Sequence, residues 1–152
     1  MRAANKQDGN AICGLIAELC RYEGIRNSSF TEKDFARDGM GLDKAFSTIV
    51  AEVDGKVVGF LTYYQGYDMP SATRGHHLGD FYVREDMRRN GIGQALFKEL
   101  AQITLARKFA WISWTVLEKN EPALAFYKKV NAILRHDVKF MAIGKMALQK
   151  IS

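Results

Sequence analysis

The sequence predicts an α/β fold in which helices flank one mixed, mostly antiparallel sheet. The first observation behind this prediction is a hairpin signal. Asp54-Gly55 stands between residues 46–53 and 57–64, two runs that are rich in β-branched and aromatic side chains. An Asp-Gly pair favours the positive backbone angles of a two-residue hairpin turn. The two runs are therefore expected to be antiparallel neighbours.

The second observation is a strand, helix, strand succession in the later half of the chain. Residues 78–83 are rich in β-branched and aromatic side chains, residues 94–105 place apolar side chains on one helical face, and residues 110–116 alternate. A helical crossover between two strands makes the strands parallel neighbours. The succession therefore adds one parallel pair to the sheet.

Further elements are predicted ahead of the hairpin and within the sheet. Residues 1–4 suit a short edge strand, and Asn10 is expected to cap a helix that continues to residue 22. A polar loop is expected over residues 65–75, between the hairpin and the central strand. Its polar and glycine residues would suit a surface connection.

A second, shorter helix is predicted from a capping box. The box pairs either Ser29 with Glu32 or Thr31 with Asp34, and the helix is expected to run through Ala36. The sequence leaves both pairings open. Together with the first helix, this helix should pack on the sheet and border a ligand pocket.

The C-terminal quarter predicts a capped helix followed by weaker elements. Asn120 is expected to cap a helix ending near residue 130, with Pro122 in its first turn, where a missing N–H costs little. Residues 133–135 and 138–143 suit strands. Residues 144–151 suit either a short helix or a last strand turn.

Length and composition indicate one domain, assigned here to residues 1–152. The hydrophobic content of 47% argues against disorder. No apolar run approaches the roughly 20 residues that span a bilayer, so no membrane association is expected, and the protein is predicted to be cytoplasmic. The net charge of +5 permits an anionic partner such as nucleic acid, a membrane surface or a phosphate-rich cofactor.

A basic, glycine-bearing turn follows the central strand at Arg88–Gly93. Glycines at alternate positions let consecutive backbone N–H groups converge, and the helix that follows has a positive N-terminus. This arrangement predicts a pyrophosphate site. Leu96 stands where a dinucleotide-binding motif needs its third glycine, and a P-loop lysine is absent from the motif. The alternative is a surface turn that uses glycine for geometry alone.

Three motifs in register resemble the GNAT superfamily of N-acetyltransferases, from about residue 46 to the end. They are Leu78-x-Asp80-Phe81-x-Val83, Arg88-x-x-Gly91-Ile92-Gly93, and Glu118-x-Asn120-Glu121-Pro122 with Phe126-Tyr127-Lys128. They are similar in particular to the diamine and thialysine N-acetyltransferase branch. The resemblance implies a GNAT-like acyl-CoA N-acyltransferase fold whose parallel strand pair is splayed at the cofactor site.

The resemblance also implies acetyl-CoA as co-substrate and no metal. The pantetheine arm would pair with the central strand where a bulge splays it, and the N–H of Tyr82 would polarise the thioester carbonyl. Amides of the glycine turn would hold the pyrophosphate, and guanidinium groups would add charge. The implied cofactor-binding residues are Phe81, Tyr82, Val83, Arg88, Arg89, Asn90, Gly91, Ile92, Gly93, Gln94, Asn120, Glu121, Pro122 and Ala123.

Tyr127 is the candidate general acid, because acetyl transfer to an amine must reprotonate a leaving thiolate. A tyrosine near pKa 10 is a weaker acid than a thiol near 8.5, so free transfer is uphill by roughly 2 kcal/mol. A preorganised hydrogen bond can offset a gap of that size. The alternative is a tyrosine packed on the helix with a satisfied hydroxyl.

Asp80 is the candidate general base and substrate contact, and Glu118 is a second substrate contact. In the diamine branch a glutamate precedes this aspartate, whereas this chain has Gly79. Glu118, His76 and His77 are weaker candidates for the base. The two histidines, as adjacent strand residues, face opposite sides and have no third ligand nearby, so a metal site is not expected. Asn131 stands where the family commonly has glycine, which asparagine tolerates because it visits the left-handed region.

The acceptor is ranked as a small primary amine or amino acid first, a diamine or polyamine second, and a peptide or protein amine third. A diamine pocket would favour clustered carboxylates, from Asp68, Asp80, Glu118 and Glu121, yet the chain is net basic. A non-catalytic acyl-CoA-binding module is the rival class, and it would tolerate loss of Asp80 and Tyr127. A nucleic-acid partner is not expected, because the arginines cluster at the turn. A homodimer is expected.

Overall fold

The structure, a computed structural model, describes residues 1–151 of the chain. The chain divides into two compact units, Met1–Thr115 and Val116–Ser152, called here the N-terminal and C-terminal units. The single domain expected for residues 1–152 stays a prediction. Over residues 1–151, no helix is both long enough and apolar enough to cross a membrane.

The N-terminal unit contains one five-stranded mixed sheet with the strand order β1-β2-β3-β4-β5. All neighbours are antiparallel except β4 and β5, which are parallel. This confirms the predicted fold class, and Asp54-Gly55 forms the expected turn, with both residues at positive φ. The strands are β1 Arg2–Ala3, β2 Ser47–Val53, β3 Lys56–Asp68, β4 Thr73–Val83 and β5 Trp111–Ser113.

Two long helices cover the sheet, α1 at Gly9–Glu23 and α3 at Ile92–Ala106. Successive strand residues face opposite sides, so Ile49 packs in the core beneath α3 and Val50 in the core beneath α1. The α3 core includes Leu61, Leu78, Leu96 and Leu100, and the α1 core includes Ile12, Leu15, Phe35 and Phe60. The sheet is therefore buried on both faces.

The starts of the first two helices decide between the predicted caps. Asn10 lies inside α1 and does not cap it, because the helix begins at Gly9, directly after a 3₁₀ turn at Lys6–Asp8. The Thr31 and Asp34 pairing forms the capping box of α2, Glu32–Asp34, which continues as a π-helical turn at Phe35–Gly39. One of the two open pairings is thereby confirmed.

The polar loop expected over residues 65–75 is wrong for most of its length. β3 continues to Asp68 and β4 begins at Thr73, so only a short turn separates them. Gly66 and Gly75 are paired across the hairpin, and a Cβ built on either would come within 2.7 Å of the Trp111 ring. These glycines therefore serve close packing beneath a tryptophan, which a local composition pattern cannot indicate.

The C-terminal unit contains two helices, α4 at Glu121–Lys129 and α5 at Lys145–Ile151. Asn120 caps α4 as predicted, since its Oδ1 accepts the N–H of Ala123 at 3.3 Å. The strands predicted at 133–135 and 138–143 are absent from the described part of this unit. A strand needs a partner for its backbone groups, and this unit supplies none within residues 116–151.

Candidate active site

The glycine turn, residues 88–94, presents consecutive backbone amides at the start of α3. Arg89 and Gly91 both lie in the left-handed region, with φ of 64° and 77°. The first helical hydrogen bond runs from Ala95 N–H to Gly91 C=O, so the amides before it lack helical acceptors. In residues 1–151, the amides from Arg89 to Gln94 donate to no protein acceptor, whereas that of Arg88 donates to Glu85 at 3.2 Å.

The Arg88 side chain ties the turn to the rest of the N-terminal unit. Its Nε donates to the Val83 carbonyl at 3.0 Å, and its guanidinium lies over the rings of Tyr22 and Tyr82, at 4.7 and 5.2 Å from their centroids. Desolvation raises the pKa of Tyr82, and the Arg88 charge opposes that rise. Arg88 therefore links the end of β4 to α1. This contact is different from the expected one, in which its guanidinium adds positive charge at the pyrophosphate site.

The edge of β4 that faces β5 is only partly paired. β5 pairs with Gly75, His76 and His77, so over residues 1–115 no strand continues along that edge from Leu78 to Val83. β5 therefore stops short of the part of β4 that the resemblance assigns to the pantetheine arm.

The direction of each β4 amide follows from two hydrogen bonds. Asp80 N–H donates to the Thr62 Oγ1 and Arg84 N–H donates to the Val58 carbonyl, so both face β3. Alternate residues of a strand direct their amides to opposite edges, which places the Tyr82 N–H towards β3 as well. The N–H groups of Phe81 and Val83 face the other edge of β4. The direction of the Tyr82 amide, towards β3, does not fit the carbonyl-polarising role expected of it.

A β-bulge in β4 places Asp80. Leu78 pairs with Tyr63 and Phe81 with Leu61, so one residue of β3, Thr62, stands opposite both Gly79 and Asp80. The Thr62 hydroxyl accepts the Asp80 N–H at 2.7 Å and donates to Asp80 Oδ2 at 3.3 Å. A Cβ on Gly79 would lie 2.8 Å from the Thr62 hydroxyl, so glycine leaves room for this contact.

Asp80 lies at one side of a cavity of about 370 Å³. Thr62, Tyr64 and Gly79 also line the cavity, and its remaining wall is formed by apolar side chains, those of Ile12, Ile16, Phe30, Ala45 and Phe46. Volumes of this size are typical of small-molecule sites. The cavity lies on the α1 side of the sheet, as predicted for the ligand pocket.

The electrostatics of this region are set by two carboxylates. Although Asp80 keeps contact with solvent at the cavity mouth, the surrounding protein desolvates its carboxylate and raises its pKa, and the hydrogen bond from Thr62 opposes that rise. The pKa of Glu23, at the end of α1, is raised by desolvation and then by the charge of Asp80. A raised pKa brings a carboxylate closer to the range in which it works as a base near neutral pH.

The two histidines lie on opposite sides of β4 and have structural contacts. His76 is buried, and its Nδ1 lies 2.8 Å from the Thr104 hydroxyl, which itself donates to Leu100. Nδ1 must therefore carry the proton of the neutral ring. His77 Nδ1 lies 2.6 Å from the Ser113 hydroxyl. No cluster of three or more potential metal ligands occurs among the residues that the structure describes.

Comparison with known proteins identifies the family. Residues 15–132 match the Acetyltransferase (GNAT) family. The chain belongs to this GNAT family. It is therefore an acyltransferase enzyme, and the resemblance found from the three sequence motifs is confirmed.

Relatives and solved structures agree with the GNAT assignment. A bovine (Bos taurus) thialysine N-epsilon-acetyltransferase is 30% identical over 141 residues, which is 87% of this chain and 82% of that protein. A human (Homo sapiens) spermidine/spermine N(1)-acetyltransferase-like protein 1 is 31% identical over 88% of this chain, but only 20% of its own length is matched. An integron cassette protein from the V. cholerae mobile metagenome has a TM-score of 0.82 at 27% identity, covering 99% of this chain and 94% of its own.

Several residues that the GNAT resemblance implied lie in the C-terminal unit. Tyr127 is on α4, where its ring packs edge-on against Phe126 at 5.4 Å between centroids, and Glu118 precedes the helix. Glu121, Pro122 and Ala123 form the first turn behind the Asn120 cap. The functional roles of these residues remain predictions.

Sequence reasoning missed Thr62, Glu23 and the apolar cavity wall. Thr62 holds Asp80 only because the bulge sets the β3–β4 register. A threonine within a strand carries no such signal by itself. A search for polar residues opposite an Asp within a hairpin would have suggested Thr62, but the register shift would have remained invisible.

Proposed function

We propose that this chain transfers an acetyl group from acetyl-CoA to a primary amine of a small molecule, by direct transfer in a ternary complex. The observation that carries the proposal is the course of β4. Asp80 lines a largely apolar cavity, and the next residues, Phe81 to Val83, lie beyond the end of the β5 pairing and lead to the glycine turn. An acceptor site and a thioester site are therefore adjacent on one strand.

The glycine turn suits the diphosphate of acetyl-CoA. The amides from Arg89 to Gln94 lack protein acceptors in residues 1–151, and they stand at the positive end of α3. Gly91 has open space around its Cα, so a phosphate oxygen can approach closely. Acetyl-CoA supplies the activated acetyl group as a thioester.

Asp80 would receive the proton of the acceptor. An alkylammonium with a pKa of about 10.4 is neutral in only about one molecule in 2,500 at pH 7, a contribution of roughly 4 to 5 kcal/mol to the barrier. A nearby carboxylate with a raised pKa is suited to take that proton, directly or through water. The neutral nitrogen then forms a bond to the carbonyl carbon.

Two further groups would complete the transfer. An amide on the β5 side of β4, that of Phe81 or Val83, would stabilise the negative charge on the carbonyl oxygen, a contact of a type worth roughly 3 to 4 kcal/mol. When the C–S bond breaks, Tyr127 would give its proton to the leaving thiolate, and the extra proton on the new amide nitrogen would pass through water to the tyrosinate. Asn120 would contact the pantetheine or the acceptor.

The test is a thiol-release assay with acetyl-CoA and a panel of amines, with the product identified by mass spectrometry. The wild-type protein should acetylate at least one small primary amine, and Asp80→Asn, which keeps the shape without the basic group, should lower turnover at neutral pH. Binding of acetyl-CoA without thiol release to any amine or peptide would contradict the proposal and favour an acyl-CoA-binding module.

A further inference from the structure

We infer that the acceptor is a monoamine with an apolar, uncharged body. The inference rests on the proposed function, because it concerns the cavity assigned there to the acceptor. It adds the substrate class: a single ammonium is recognised at Asp80, and a hydrocarbon or aromatic body fills the remainder. Diamines and polyamines, whose far end is also charged, should be poor acceptors.

The rest of the cavity wall offers no opposite charge to a second cation. Ile12 and Ile16 line it from α1, and Phe30 and Phe46 line it with rings whose centroids are 6.1 Å apart. An ammonium moved from water to such a wall loses hydration and gains no carboxylate in return. A hydrocarbon body gains from the same transfer, because its apolar surface leaves water.

Negative charge is concentrated at one end of the site. Asp80 is the only charged residue among those that line the cavity within residues 1–151. Glu23 is close enough to Asp80 for the charge of one to raise the pKa of the other, although Glu23 does not line the cavity. Both carboxylates therefore favour a cation beside Asp80.

Three other acidic side chains of this unit, those of Asp34, Asp38 and Asp68, are engaged elsewhere. Asp68, once considered for a carboxylate cluster, accepts the N–H of Ser71 at 3.1 Å in the β3–β4 turn. Asp34 is held by the Thr31 hydroxyl at 2.6 Å, and Asp38 by Arg37. None of the three lines the cavity. A second ammonium would have no partner among them.

The test compares two acceptors of equal length, hexylamine and hexamethylenediamine, in the thiol-release assay with the wild-type protein. They differ only in the second ammonium. We expect kcat/KM to be about tenfold or more higher for hexylamine, since the far ammonium of the diamine would lose hydration beside a wall that holds no carboxylate. The two substrates share the same enzyme and cofactor, so folding cannot affect the comparison.

A variant pair locates the effect in the cavity. Ala45 is exposed yet lines the cavity, so Ala45→Glu can add a carboxylate to the wall with little risk to folding, and Ala45→Gln is its uncharged control. Ala45→Glu should shift the kcat/KM ratio towards the diamine several-fold relative to Ala45→Gln, about what one added ion-pair partner supplies.

The outcomes separate the two proposals. If no amine releases thiol, the proposed function fails. If thiol is released but the diamine matches or exceeds hexylamine, the proposed function stands and the monoamine inference is overturned. An identical ratio in both Ala45 variants would also overturn it, because the acceptor body would then lie outside this cavity.

Discussion

Replacing Thr62 by valine should weaken the β4 bulge and raise the pKa of Asp80. The Thr62 hydroxyl accepts the Asp80 N–H at 2.7 Å and donates to its carboxylate at 3.3 Å. Valine keeps the branched shape but can neither accept the Asp80 N–H nor donate to the Asp80 carboxylate. Thr62 is only 7% exposed, so water replaces the hydroxyl poorly, and an amide left without an acceptor costs about 1 to 3 kcal/mol of folding free energy.

The catalytic readout is the pH dependence of kcat/KM. The hydrogen bond from Thr62 lowers the pKa of Asp80 against the rise that desolvation causes, so its loss should raise that pKa further. The basic form is then populated only at higher pH. The acidic limb of the profile, measured by thiol release, should therefore move to higher pH in Thr62→Val.

Thr62→Ser is the matched control, because it keeps the hydroxyl and loses only a methyl group. Its acidic limb should stay in place, and chemical denaturation should give a smaller loss of stability than for valine. The reasoning is refuted if Thr62→Val loses stability as expected but leaves the acidic limb where serine has it. If the two variants were equally stable, the Thr62 hydrogen bond would make no contribution to the free energy of unfolding.

Four further predictions concern other parts of the chain. Gly91→Glu should lower acetyl-CoA affinity by about tenfold or more in calorimetry, because a carboxylate among the amides repels the diphosphate; Gly55→Glu, at a similar positive φ in the β2–β3 turn, should not. Tyr127→Phe should lower kcat by about tenfold or more without changing acetyl-CoA affinity. Burial lowers the pKa of His76, so the free energy of unfolding should fall as the pH drops below about 6.5, and His76→Phe should remove that part of the loss. Light scattering should give the mass of a dimer, and Phe140→Asp, at a side chain 82% exposed in the single chain, should give that of a monomer.

Each of these four predictions has an outcome that would contradict it. Equal losses of affinity in both glycine variants would point to a folding defect in place of a phosphate site. Normal turnover in Tyr127→Phe would remove its role as the acid. A His76→Phe protein with unchanged acid sensitivity would assign that sensitivity to other groups, and a monomeric wild type would contradict the predicted homodimer.

Features with a local cause could be predicted from the sequence. The Asp54-Gly55 turn and the Asn120 cap each depend on a few adjacent residues whose own backbone preferences suffice. Asn131 is another case, because it adopts the left-handed conformation expected of it, with φ of 59°. The order of strands in the second half followed from the crossover rule, which needs only the succession of elements.

Features that depend on residues distant in the sequence could not be predicted in this way. Gly66 and Gly75 suggested a loop, but their role is to leave space for Trp111, which lies far along the chain. The contact of Thr62 with Asp80 depends on a one-residue bulge. The direction of the Tyr82 amide likewise depends on how β4 pairs with β3, so the sequence alone did not show that this amide faces β3. The apolar residues of 138–143 predicted a strand, although composition alone supplies no neighbour to pair with.

The short reach of β5 has a consequence for the protein between catalytic cycles. Within residues 1–115 no strand continues along β4 beyond His77, and a sheet edge of this kind can pair with extended polypeptides, including segments of other molecules of the same kind. An amide-containing pantetheine arm seated there would act as a temporary extra strand. Without acetyl-CoA, the enzyme should therefore aggregate more readily on heating. Saturating acetyl-CoA should reduce that aggregation.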